Sequence, residues 1–167
     1  TTFDPGASDT VYALALDGST LYVGGDFTTI GGRPRNRIAA LDATGTPTAF
    51  APEADGRVRA LLVSAGTIYA AGEFASIGGQ ARNHIAALSS AGAVSAWNPD
   101  PDGYFVQALA MSGSTLYVSG GFTSIGQVLS LRGGFLGIGF ASFRATFTSA
   151  HHGEDIPILA IDCSQLE

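Results

Sequence analysis

Val23-Gly24-Gly25-Asp26-Phe27-Thr28-Thr29-Ile30-Gly31-Gly32 returns 47 residues later as Ala70-Ala71-Gly72-Glu73-Phe74-Ala75-Ser76-Ile77-Gly78-Gly79. It returns again, 48 residues on, as Val118-Ser119-Gly120-Gly121-Phe122-Thr123-Ser124-Ile125-Gly126. Outward from this stretch, residues 3–49 align with 50–96 without a gap and share 21 identities in 47 positions. That density marks duplicates of one folded element, not shared composition.

Each unit spells four short strands. In the first, Val11-Tyr12-Ala13-Leu14-Ala15-Leu16 ends at the turn Asp17-Gly18-Ser19, and Leu21-Tyr22-Val23-Gly24-Gly25 follows. After the loop at 28–34 come Arg37-Ile38-Ala39-Ala40-Leu41 and, past Gly45, Thr46-Pro47-Thr48-Ala49-Phe50. Runs of four to six bounded by Gly, Pro and Ser are strand signals, and no window keeps helical apolar spacing. Four strands per unit of this length fit one blade of a β-propeller, so the expected fold is an all-β array of four-stranded antiparallel blades. Phe27, Phe74 and Phe122 are expected to fill the space between stacked blades. Leu14, Leu61 and Leu109 are expected to be buried against neighbouring blades. Tyr22, Tyr69 and Tyr117 recur with an apolar body and a hydroxyl that needs a partner. Gly31-Gly32 and Gly78-Gly79 should take backbone angles closed to side chains.

The ordered pattern, from Val-x-Ala-Leu through Leu-Tyr-Val-Gly-Gly-Asp-Phe-Thr-x-Ile-Gly-Gly to Arg-Asn-x-Ile-Ala-Ala-Leu and Phe-x-Pro, resembles the delta-sixty-type bacterial β-propeller repeat. It does so over about residues 3–127. That family is of uncharacterised function and is common in large secreted and cell-surface proteins. The resemblance implies architecture and an extracellular or cell-surface location, and it carries no catalytic residues with it.

The expected organisation is a last strand of a preceding or shared blade at 1–5, then blades at 6–52 and 53–99, and the start of a third at 100–127. From 128 to 167 the pattern is lost, apart from Ile158-Leu159-Ala160-Ile161-Asp162, which echoes Ile38-Ala39-Ala40-Leu41-Asp42. Either an insertion interrupts the third unit or the tail supplies substitute strands. Three units are fewer than the roughly 4–8 blades of closed propellers, so two blade faces should stay open and invite partners. The orphan strand at 1–5 could complete a blade of the same chain or of a second copy.

Composition narrows the classes. Net charge is −6 and the eight basic residues are all arginine, which argues against a nucleic-acid partner. No stretch approaches the roughly 18 apolar residues of a membrane helix, so no membrane insertion is expected. Thr1-Thr2-Phe3-Asp4-Pro5 has neither the basic start nor the apolar run of a signal peptide. Cys163 is the lone cysteine, so neither an intrachain disulfide nor a cysteine-based zinc site can form.

Candidate sites are few. Asn98-Pro99-Asp100-Pro101-Asp102-Gly103 opens like a calcium loop, with oxygen ligands at Asn98, Asp100 and Asp102, although its twelfth position is Leu109 where Glu is needed. The competing reading is an ordinary turn between blades, and no cofactor is expected beyond weakly bound Ca²⁺ at this loop. Arg35-Asn36 and Arg82-Asn83 recur before the third strand. They read either as a repeated ligand pair or as structure, with Asn capping the loop backbone and Arg pairing with Asp26 or Glu73 of the same unit. Recurrence favours structure, and the third unit loses both the doublet and the acid, which is Gly121. His84 replaces Arg37 and reads as a surface residue at a strand edge. His151-His152-Gly153-Glu154-Asp155 reads as a metal cluster or, preferably, a solvated loop. Gly133-Gly134-Phe135-Leu136-Gly137-Ile138-Gly139 lacks the Lys of a phosphate loop, and no Gly-x-Ser-x-Gly occurs. The expectation is a non-enzymatic interaction, adhesion or structural module that binds a protein or carbohydrate ligand or itself. The alternative is a fragment of a larger propeller enzyme whose catalytic residues lie outside this chain.

Overall fold

The apolar runs fold as strands that pair with their sequence neighbours. The structure is a computed structural model and describes residues 3–126, with two further strands at residues 146–147 and 158–162. The first unit contributes β1 (Val11–Asp17), β2 (Thr20–Gly25), β3 (Thr29–Ile30), β4 (Arg33–Pro34) and β5 (Ile38–Leu41). The second repeats them as β6 (Val58–Ser64), β7 (Thr67–Gly72), β8 (Ser76–Ile77), β9 (Gln80–Ala81) and β10 (Ile85–Ser89). The third holds β11 (Val106–Ser112) and β12 (Thr115–Gly120), then β13 (Thr146–Phe147) and β14 (Ile158–Asp162). No helix occurs among the described residues.

The blades are antiparallel sheets in the orders β1-β2-β5, β6-β7-β10 and β11-β12-β14-β13. β14 pairs with β12 in the register β5 keeps with β2: Leu116 faces Ile161 as Leu21 faces Leu41, and Ser119 faces Ile158 as Gly24 faces Ile38. β13 lies outside β14, with Phe147 opposite Leu159. Successive blades touch most through their first strands, β1 on β6 and β6 on β11, and contact thins outward. That fan is the arrangement of a propeller, here with small sheets that do not close into a ring.

The expected fourth strand is reduced to a single bridge, Leu41 to Pro47 in the first blade and Leu88 to Val94 in the second. Pro47 has no N–H to extend the ladder, but the second blade stops at the same point with Val94 there, because in both the chain turns away to carry an aromatic residue, Phe50 or Trp97, into the seam. The segment is still held, because Thr48 N–H donates to Ala40 O and Ser95 N–H to Ala87 O. A two-residue hairpin, β3–β4 or β8–β9, stands where only a loop was expected. Its turn is the glycine pair, with φ of +58° and +69° at Gly31 and Gly32 and +59° and +72° at Gly78 and Gly79.

Each blade presents two apolar faces. The front, toward the preceding blade, carries Phe27, Phe74 or Phe122, all three buried. The back, toward the following blade, carries Tyr22, Tyr69 or Tyr117. Between the first two blades, Tyr22, Ile38, Ala40 and Phe50 meet Val58, Ile68, Phe74 and Ile77, with Leu61 and Val63 packed against them. Between the second and third, Tyr69, Ile85 and Trp97 meet Val106, Leu116, Val118, Phe122 and Ile125, with Leu109 and Met111 against them. A fully buried Phe or Leu contributes about 1.5–3 kcal/mol, so these two seams hold the array together. Leu14 does not follow Leu61 and Leu109. It is 62 % exposed, because among the described residues no blade packs against the front of the first.

Candidate functional site

Connectors between blades collect most of the polar residues singled out in the sequence. Phe50 sits edge-on to Tyr22 at 5.1 Å and 78°, and Trp97 edge-on to Tyr69 at 5.6 Å and 86°. Both geometries place a ring edge on a ring face, the arrangement favoured by the aromatic quadrupole. Two residues further on, the carbonyls of Pro52 and Pro99 each accept the N–H of Gly78 and Gly126 at 2.5 Å. An aromatic plug in one blade is thereby tied to the hairpin of the next.

The Arg-Asn doublets serve this same joint. Asn36 Nδ2 donates to Glu53 at 3.0 Å and Asn83 Nδ2 to Asp100 at 2.7 Å, both acids lying in the connector that follows. The neighbouring arginines reach carbonyls, Arg35 that of Thr48 and Arg82 that of Ser95, each at 2.6 Å. The expected Arg35–Asp26 and Arg82–Glu73 pairs do not form, and the asparagines do not cap their loop backbone. The extended chain after the third strand brings connector carbonyls within reach, whereas Asp26 and Glu73 face the first strand of a blade. His84 is a correction too. It is half-buried at φ +63°, as Arg37 is at +65°, and reaches the next connector. A carbonyl can only accept, so His84 Nε2–H donates to Gly103 O at 2.9 Å, where Arg37 donates to Ala54 O at 3.0 Å.

Asp26 belongs to a different contact. Arg57 Nε lies 2.8 Å from its carboxylate and crosses from the second blade to the first, while Tyr12 OH donates to it at 3.0 Å. Hydrogen bonding to Arg57 holds the Asp26 carboxyl below the ordinary carboxylate range, against a smaller opposing effect of burial. Glu73 takes Arg59 Nε at 2.7 Å and Arg57 at 3.6 Å. The two guanidinium groups lie over the Tyr12 ring, and Arg59 also over Phe105 at 5.5 Å. Every charge in this strip is paired, so it reads as a clasp between first strands.

The calcium ligand set is divided among other partners. Asp102 accepts the backbone N–H groups of Thr123 and Ser124 at 2.8 Å and the Thr123 hydroxyl at 2.6 Å. Asp100 faces Asn83, and Asn98 is exposed. Asp55 accepts Ala75 and Ser76 N–H, and Ser8 Oγ accepts Thr28 and Thr29 N–H, so Ser8, Asp55 and Asp102 are one repeated loop anchor. No cluster of three His, Cys, Asp or Glu side chains suited to a metal occurs among the described residues. The segments 133–139 and 151–155 lie outside the described residues.

The hydrogen bonds from Thr123 and Ser124 pull the Asp102 carboxyl well below the ordinary range. Its folded-state pKa is below its unfolded value, so its contribution to stability is present above about pH 4 and lost as pH falls through the folded value. Asp102→Ala is expected to lower the melting temperature equally in EDTA and in calcium chloride at pH 7, and to flatten the acid limb of the stability profile. A deficit seen only in calcium would instead support the ligand reading.

Two apolar faces remain open at the ends of the array. At the front of the first blade Phe3, Val11, Leu14 and Leu16 are exposed. At the back of the third, Ala108, Leu109, Ala110, Tyr117, Val118 and Ser119 line a hollow of about 290 Å³.

Fold and joints together define an all-β array of propeller blades. Residues 17–47 and 66–94 match the family model described as "Domain of unknown function (DUF5122) beta-propeller", so these two segments are similar to a β-propeller repeat family of unknown function. None of the curated proteins matches. Among solved structures, the computationally designed Ika4 protein is similar at 18 % identity and a TM-score of 0.48, over 68 % of this chain and 62 % of that one. The designed Ika8 protein is similar at 17 % and 0.48, over 68 % and 31 %. The chain thus spans less than two thirds of either design.

Proposed function

We propose that the chain is a non-enzymatic interaction module of a secreted or cell-surface bacterial protein, and that it binds protein partners through its open blade faces. The carrying observation is the pair of open faces. Leu14 and Leu16 are equivalent to Leu61 and Val63, which pack into the first seam, yet they lie in solvent. Exposed contiguous apolar surface of this kind is what protein partners cover. The resemblance to repeats of exported proteins supports the location. Connector polar groups are taken up by joints, which favours binding over chemistry as the use of this surface.

Displaying the chain on a non-adherent bacterium tests the reading. Cells carrying it should adhere to fibronectin- or collagen-coated glass, or to one another, several-fold more than undecorated cells. Cells carrying Leu14→Arg, Leu16→Arg and Tyr117→Arg together should not. Equal adherence in all strains would overturn the proposal.

A further inference from the structure

We infer that two copies of this chain associate head to tail into a six-bladed ring, the front of the first blade of each seating on the back of the third blade of the other. The inference rests on the reading of the open faces as binding surfaces, and it names a second copy as the partner.

The two seams inside the chain show what such a joint requires. Each needs a tyrosine on the back of one blade, an aromatic plug from the connector, a valine at the start of the next first strand, and two apolar residues behind it. The first seam supplies Tyr22, Phe50, Val58, Leu61 and Val63, and the second supplies Tyr69, Trp97, Val106, Leu109 and Met111. The open ends hold the same set, divided between them. Tyr117 is the unplugged tyrosine at 41 % exposure, and Phe3, Val11, Leu14 and Leu16 are the unused front at 52 %, 38 %, 62 % and 68 %. Their counterparts in the two seams are buried or half-buried.

Phe3 is already set for its part. Its ring lies against the Gly45 turn as the Phe50 ring lies against the Gly92 turn, and Pro5 O holds Gly31 N–H as Pro52 O holds Gly78. What Phe3 lacks is a tyrosine. On the opposite end, the apolar hollow beside Tyr117 is bordered by Ala108, Ala110 and Ser119. These correspond to Ala60, Leu62 and Ala71 of the second seam, where Ala71 is buried and Ala60 and Leu62 pack against the cluster. Small side chains there let the incoming valine and leucine approach, as Gly24 does for Val58 and Leu61 in the first seam.

Charge does not oppose the joint. The Asp26–Arg57 clasp of the first seam would here become Gly121 opposite Thr10, and the second seam already has Phe105 in the place of Arg57. No unpaired charge is desolvated at these positions. Blade number selects the assembly. The described residues of one copy offer three blades and those of two copies offer six, inside the roughly 4–8 of closed propellers, whereas three copies would need nine. A front-to-back contact closes when the rotation completes a circle, and two copies then share a two-fold axis with no open face left.

Sedimentation equilibrium of the purified chain tests this. Wild type should run at twice 17.0 kDa. In the first seam Gly24 faces Leu61, so Leu14 of one copy should meet Ser119 of the other. Leu14→Lys alone and Ser119→Glu alone should each weaken the dimer by ~100-fold or more, since each leaves an unpaired charge in both joints. An equimolar mixture of the two variants, and the double variant, should restore it. Thermal melts by circular dichroism confirm that each variant is folded. A wild-type monomer at every concentration, a dimer indifferent to either substitution, or growth into long polymers overturns the ring. If wild type is monomeric but Leu14- and Tyr117-dependent adherence persists, the ring falls and the binding reading stands. If adherence is also absent, both fall.

Discussion

Phe74→Ala is expected to destabilise the chain by ~3–5 kcal/mol, the range for emptying a large buried aromatic site. Phe74 is fully buried in the seam between the first two blades, in a cluster with Tyr22, Ile38, Phe50, Val58, Ile68 and Ile77. Its loss removes contacts to two blades at once, and the cavity cannot collapse without shifting β2 and β7, which are pinned on both sides by their ladders. In a repeat array each unit touches only its neighbours, so weakening one seam should also uncouple it from the other. Trp97 is the only tryptophan and lies in the second seam. Urea unfolding followed by its fluorescence should therefore lag behind the circular dichroism of the whole chain in the variant, and coincide with it in wild type. Phe3→Ala is the control, because Phe3 is largely exposed and its loss should stay within about 0.5 kcal/mol in the monomer. A Phe74→Ala cost under about 1 kcal/mol would sink the account of the seams.

The repeat made the blades legible. Gly31-Gly32 and Phe27-Ile30 state a turn and a buried pair at positions that recur, and two periods are enough to see it. Other features depend on what lies beside a residue, and no repeat can report that. Leu14 and Leu61 are the same residue at the same place in the repeat, each three positions after a valine and one after an alanine, yet one is in solvent and the other in a seam. The fourth strand failed for a local reason. Residues 46–50 look like a strand by length and by bordering turns, but the connector must leave the sheet to deliver Phe50, and the second unit leaves it at the same point with Val94 in place of Pro47.

The polar positions were legible as structure but not in their pairing. Recurrence singles out Arg35-Asn36 and Arg82-Asn83, and the nearest acids before them in sequence are Asp26 and Glu73 of the same unit. A signal was present. Acids stand 17 residues after both asparagines, at Glu53 and Asp100, and both form the bond. Asp102 shows the converse. Weighed as one of three calcium ligands, it hides its equivalence to Ser8 and Asp55, whose side-chain oxygens anchor the same pair of amides.

Gly72→Ala is expected to cost at least as much as the upper end of the ~1–3 kcal/mol usual for overpacking. Backbone angle is not the reason, since Gly72 is absent from the left-handed residues. A Cβ there would fall on the carbonyl oxygen of Arg57, with the Val58 Cα at 3.0 Å behind it. Gly25 meets Thr10 O and Gly120 meets Phe105 O in the same way, so each blade has one glycine where the incoming connector crosses β2, β7 or β12. The obstacle is main chain that is itself bonded, because Glu73 N–H donates to that same Arg57 oxygen at 2.8 Å. Relief therefore requires breaking this bond and the Val58–Gly72 rung, at the bulge where β6 enters the sheet. Arg57 would move with it, loosening its grip on Asp26 and so the clasp between the first and second blades. Gly66→Ala separates steric conflict from backbone strain. Gly66 has φ +76° and open space around it, so its cost should be the ~1–2 kcal/mol of a left-handed L-residue and no more. Urea midpoints should rank wild type above Gly66→Ala and Gly66→Ala above Gly72→Ala, and the reverse order of the two variants would show that the crossing at Gly72 has room to give.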